Sequence, residues 1–172
     1  MGIKILPLEE AYPDGGFNQN KGKSSNFYSA GLEYLMVSNL LLEKRLGIYN
    51  VLLPTIHQAI ELFMKALIAR IDSNVDCKKY RHDTIEILKD YQNEIPIFAS
   101  ILANPERKEL IKQLKIGYLQ LKYSEVFLYS HYDDIKLCFT IAEELVDVYQ
   151  KLIGISKSSH DLPNNISNLP ND

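Results

Sequence analysis

His57, Glu61 and Lys65 recur at four-residue steps in a stretch dominated by Val, Leu, Ile, Ala, Phe and Met. On a helix that spacing stacks an imidazole, a carboxylate and an ammonium into one polar ridge along an apolar rod. Such a line of groups can bind an anion or pass a proton, and it then belongs in a cleft or in a groove between two protomers. The plainer account is an i,i+4 ion pair between Glu61 and Lys65 where the helix breaks the surface, with His57 hydrogen-bonded nearby. Residue types alone lean toward the plainer account. Against it stands the cost of desolvated charge on a core helix. We therefore expect a partly enclosed groove, shared with His82 or a second protomer.

Two further groups carry chemical potential. Arg81 and His82 precede Asp83, and an Arg beside a His near a helix N-terminus can hold phosphate or shuttle a proton. Capping by Asp83 and packing of His82 at the junction explain the same residues more simply. From Tyr118 to Asp134, the aromatics Tyr118, Tyr123, Phe127, Tyr129 and Tyr132 crowd with His131 among Lys115, Lys122 and Lys136. Interleaved rings and cations can stack the bases of single strands. Glu125, Asp133 and Asp134 dilute that field, and Tyr118 falls on an apolar helix face, which favours packing roles for most of the rings. Lys122, Tyr123 and His131 join the ridge as candidates for a ligand site or dimer groove. The sequence has no Gly-rich phosphate loop, no GxSxG and no His/Glu pair at metal-ligand spacing, so it supports neither a conventional hydrolase nor a kinase. No cofactor and no metal are expected. Cys77 and Cys138 stand apart, outside any CxxC pair, and read as reduced thiols.

These residues need elements to place them, and the apolar period is helical nearly throughout. Tyr28, Leu32, Leu35, Met36 and Leu42 mark a first helix over about residues 26–46. A second, apolar almost all round, covers 49–71 and belongs at the centre of a bundle, with Pro54 tolerated in its first turns. Asp83 with Glu86 starts a third, carrying Ile85, Leu88 and Tyr91. Asn104 and Pro105 start a fourth, with Leu110, Ile111, Leu114, Tyr118 and Leu121 on its face. Asp133 and Asp134 suit the N-terminal end of a fifth, faced by Cys138, Ile141, Ala142, Leu145, Tyr149 and Leu152. The expectation is an all-α, up-and-down bundle of about five helices. Residues 1–25 read as an extended arm, 26–154 as the domain, and 155–172 as a disordered polar tail. Over 172 residues, 46% are hydrophobic, and 19 basic against 22 acidic side chains leave a net charge of −3, so a globally basic nucleic-acid surface is excluded. The N-terminus meets Pro7 and two glutamates too early for a signal peptide, and Ser38 and Asn39 interrupt the best apolar run. A cytoplasmic protein without a membrane segment is expected.

The segment from His57 to Ile68 resembles the second-helix signature of HEPN domains (higher eukaryotes and prokaryotes nucleotide-binding). His82-Asp83-Thr84-Ile85-Glu86-Ile87-Leu88 resembles the start of their third helix. Leu121-Lys122-Tyr123-Ser124, followed by Tyr132-Asp133-Asp134, resembles the Arg-Tyr-Pro segment and last helix of one branch. The resemblance implies a four-to-five-helix bundle, often a homodimer, with roles in toxin–antitoxin systems, phage defence or RNA processing. Ribonuclease members carry Arg followed four to six residues later by His. Arg45, Arg70, Arg81 and Arg107 stand in no such relation to His57, His82, His131 or His160, and Lys122 stands where that branch has Arg. The expected function is thus a nucleotide-, RNA- or protein-binding module, with a nucleotidyltransferase or another protein as partner. The alternative is a metal-independent ribonuclease toxin with a displaced site around Arg81 and His82.

Overall fold

A computed structural model describes residues 19–43, 49–122 and 132–154. Among these residues there is no strand. Six helices follow in order: α1 (Gln19–Glu43), α2 (Tyr49–Ile71), α3 (Thr84–Asp90), α4 (Pro96–Ala103), α5 (Pro105–Lys122) and α6 (Tyr132–Leu152). A single 3-10 turn, Cys77–Tyr80, leads from α2 toward α3.

Local chemistry sets the boundaries. The Asp83 carboxylate accepts the Glu86 amide at 3.1 Å and caps α3. Asn104 Oδ1 accepts the Arg107 amide at 3.1 Å, and Pro105 follows at the first helical position, where its missing N–H costs nothing. Asp133 and Asp134 lie in the first turn of α6 and oppose its dipole. Four departures from expectation have physical causes. The helix α1 begins at Gln19, so residues 19–25 are helical rather than part of an extended arm. Tertiary bonding outweighs Gly22 there, because Ser24 is buried and donates to the Ala66 carbonyl at 2.8 Å while meeting the Tyr149 hydroxyl at 3.0 Å. Pro96 opens the extra helix α4, whose run is apolar but for Ser100 and so shows little helical alternation to read. Met36, Val51 and Leu152, expected in the core, are exposed. Finally, Val51–Ile71 is after all long and apolar enough to cross a membrane, but 72% of its apolar window is buried within the bundle.

The architecture turns on α2. It packs against α1, α5, α6 and α3, and Ile56, Ala59, Ile60, Phe63, Met64, Ala66, Leu67 and Ile68 are wholly enclosed. Ser24 near the start of α1 reaches Ala66 near the end of α2, so these two helices run antiparallel. At Gly31 they approach so closely that an added Cβ would sit 2.7 Å from Phe63 Cε1. Tyr28 of α1 stacks on Tyr149 of α6 at 4.2 Å and receives a hydrogen bond from Gln150. Arg107 makes a two-pronged bond to Glu144 at 2.6 and 2.8 Å, fixing the start of α5 to α6. Both cysteines are free and buried, and burial pushes the Cys138 thiol up to about 12, so it stays protonated.

Candidate functional site

The polar ridge does not break the surface. His57 and Glu61 are each 1% exposed and Lys65 9%, on the helix that forms the middle of the bundle. Residue types alone favoured a solvated pair because exposure is cheap for charged residues, whereas the cost of desolvated charge led to the expectation of a partly enclosed groove. Here burial is made tolerable by dense pairing. Lys65 Nζ donates to Glu61 Oε1 at 2.5 Å and to the Arg81 carbonyl at 2.8 Å. Glu61 Oε2 lies 3.0 Å from His82 Nδ1. One buried carboxylate therefore joins an ammonium behind it to an imidazole in front of it. A carboxylate that accepts from Nδ1 selects that tautomer, fixes the ring and leaves Nε2 for exchange with a ligand.

His82 itself is 35% exposed, so the ridge opens to solvent at this one ring and at its neighbour. Arg81 is exposed and has φ 48° with ψ −106°, the sole non-glycine among the described residues with positive φ. A side chain resists that backbone conformation, which persists only when surrounding contacts hold it. Two such contacts are visible: the Arg81 amide donates to the Lys78 carbonyl at 3.1 Å, and its carbonyl accepts from Lys65. Among the described residues the Arg81 guanidinium has no ion-pair partner. Lys115 of α5 bonds the Asp83 carboxylate beneath this turn. Burial would raise the Asp83 carboxyl, but the Lys115 bond, the backbone amides of Glu86 and Ile85 and the Lys115 charge outweigh it and hold it below its ordinary value.

The third component is Tyr118 of α5. Its ring stacks on His57 at 5.0 Å with 26° between planes and tilts against His82 at 4.9 Å. Burial, then the charge of Glu61, raises the Tyr118 hydroxyl above its ordinary value. Under that ring, both nitrogens of His57 are buried without a hydrogen-bond partner among the described residues. Burial pulls His57 down to about 4, so at neutral pH it is an uncharged imidazole with one donor and one acceptor unmet. Each unmet buried group costs about 1–3 kcal/mol.

The structure thus unites His57, Glu61, Lys65, Arg81 and His82. Lys122 is the last residue of α5, while Tyr123 and His131 lie outside the described residues. Sequence reasoning missed Tyr118 as a partner of both histidines, having read it as one more ring on an apolar face. Its position four residues after Leu114 held no signal of what lies opposite. Among the described residues no group of three or more His, Cys, Asp or Glu side chains is arranged to hold a metal ion.

The family of HEPN domains matches residues 25–152, nearly the whole helical core. No curated relative and no solved structure matches the chain.

Proposed function

The chain belongs to the HEPN domain family, a family of nucleotide- and RNA-related function, and from that premise we propose that it is a binding module which takes a phosphate of a nucleotide or RNA at the lip formed by Arg81 and His82. The observation that carries this reading is the support beneath the lip. Glu61 orients the His82 ring, and Lys65 fixes the backbone that presents Arg81, so the turn carrying both residues is pre-set by a buried ion pair. A general cleavage mechanism asks for more. It needs a base, an acid and a cation at the phosphorane. Among the described residues one chain offers only one imidazole that is both oriented and open, because His57 is sealed under Tyr118. Binding without the standard nuclease chemistry fits that inventory. The proposal extends to a homodimer acting in the cytoplasm within a toxin–antitoxin or phage-defence system, with a nucleotidyltransferase or another protein as partner.

Fluorescence anisotropy with labelled AMP and with hexauridylate tests the site. Arg81→Ala and His82→Ala should each weaken binding about 10- to 150-fold, the range of a charged hydrogen bond. Binding indifferent to both changes would move the ligand elsewhere. One observation favours a second reading, a metal-independent ribonuclease: a carboxylate-held imidazole beside an arginine is half of an acid–base pair. RNA cleavage in EDTA that disappears with His82→Ala would establish it.

A further inference from the structure

Neutral His57 is the one member of the ridge whose hydrogen-bonding capacity is unmet. Both oxygens of Glu61 and the ammonium of Lys65, one and two turns further along the helix, have partners. The deficit is confined to the part of the ridge that an aromatic ring covers. Buried polar atoms are nearly always satisfied, and one that is not asks for a reason. A leucine would fill the same space with no orphaned atom. The covering ring, Tyr118, touches His57 on one side and His82 on the other. It is half-buried, and it meets the two imidazoles through ring contacts, stacked on His57 and tilted against His82, which a rotation about the side chain can release without unfolding α5.

We propose that Tyr118 is a displaceable stopper over His57, and that with its ring swung aside His57 joins His82 and Arg81 in a single cleft for the phosphodiester backbone of a short single-stranded RNA. The ligand rests on the phosphate reading of the Arg81–His82 lip; the stopper does not. A neutral imidazole supplies what such a backbone lacks at the lip. It has an N–H for a phosphate oxygen and a lone pair for a ribose hydroxyl. The cation remains at Arg81, so the added contact needs no second buried charge. In the closed form the ligand must first move the ring, and the apparent affinity falls by the fraction of molecules that are open.

The test uses the full chain and four variants: Tyr118→Ala, Tyr118→Leu, Tyr118→Phe and the double change Tyr118→Ala with His57→Leu. Diethyl pyrocarbonate labelling, mapped by mass spectrometry, reads the exposure of each histidine without any ligand. In the parent and in Tyr118→Phe, His82 should label and His57 should not. In Tyr118→Ala, His57 labelling should rise about tenfold or more; Tyr118→Leu serves the same purpose if the alanine variant loses its helical circular dichroism. Hexauridylate anisotropy should then show Tyr118→Ala binding about tenfold tighter than the parent, with that gain gone in the double variant. His57 remaining unlabelled in both folded small-residue variants refutes the stopper. Hexauridylate that binds the parent but gains nothing from Tyr118→Ala, or gains as much without His57, refutes the shared cleft while leaving the lip intact. Labelling as expected with no hexauridylate binding in any protein refutes the phosphate reading, and the ligand with it, but not the stopper.

Discussion

Acid should destabilise this protein through one histidine, and the size of the effect follows from the burial of His57. Folding lowers its pKa from 6.5 to about 4. Above pH 6.5 the ring is neutral in both the folded and the unfolded chain and contributes no pH dependence. Between 6.5 and about 4 the unfolded chain binds the proton and the folded chain refuses it, so stability falls as pH falls. At pH 5 the loss relative to pH 7.5 is about 2 kcal/mol, the full shift being worth about 3 kcal/mol at lower pH. His57→Leu removes the titrating group and both orphaned nitrogens while keeping a similar volume. At pH 7.5 the change gives up a stacking contact of about 0.5–1.5 kcal/mol but relieves unmet polar atoms of at least equal cost, so stability should hold or rise. Urea unfolding of parent and variant at pH 7.5 and 5.0 provides four free energies, in which the common contribution of the carboxylates cancels. The double difference should come out near 2 kcal/mol. A value below about 0.5 kcal/mol, or a His57 ring proton that titrates near 6.5 by NMR, would show that the ring is solvated or hydrogen-bonded in solution, and the reasoning about its burial would fail.

Other substitutions probe the support. Phe63→Ala empties a fully enclosed site between α1 and α2 and should cost about 3–5 kcal/mol by chemical denaturation. Gly31→Ala improves helix propensity by about 1 kcal/mol, yet its methyl meets the Phe63 ring at 2.7 Å, and overpacking of about 1–3 kcal/mol should make the variant melt lower than the parent. Glu61→Gln leaves the Lys65 ammonium enclosed without its counter-charge and should destabilise by about 3–5 kcal/mol; a loss below about 1 kcal/mol would mean that the ridge is solvated.

Helix positions were legible wherever a local device announced them. Apolar residues on every side of 49–71, the Asp83–Glu86 pair and the Asn104–Pro105 start each survive intact in the structure, because caps and periodicity act over three or four residues. The start at Gln19 was not legible, since Ser24 owes its helical place to Ala66 and Tyr149, 42 and 125 residues away. The site divides along the same line. Spacing alone put His57, Glu61 and Lys65 on one ridge. Their enclosure, the contact of Glu61 with His82 and the ring of Tyr118 between two histidines depend on how α5 and the turn before α3 settle on α2. The positive φ of Arg81 is held in part by the adjoining 3-10 turn and in part by Lys65, 16 residues away, and the second contact has no local signature.

Recognition loops are commonly drawn from the least stable parts of a fold, where opening costs little. The turn carrying Arg81 and His82 is anchored instead to Glu61 and Lys65 of the most enclosed helix. Those anchors are set on a helix that leaves the core only when the bundle unfolds. The α2 amides should therefore be among the slowest to exchange with deuterium. By mass action, a ligand held at this turn would slow that exchange across the whole bundle rather than at its own contacts alone. The coupling also runs the other way: a methyl lost from Phe63, on the side of α2 that packs against α1 rather than the turn, lowers the stability that keeps the two recognition residues in register.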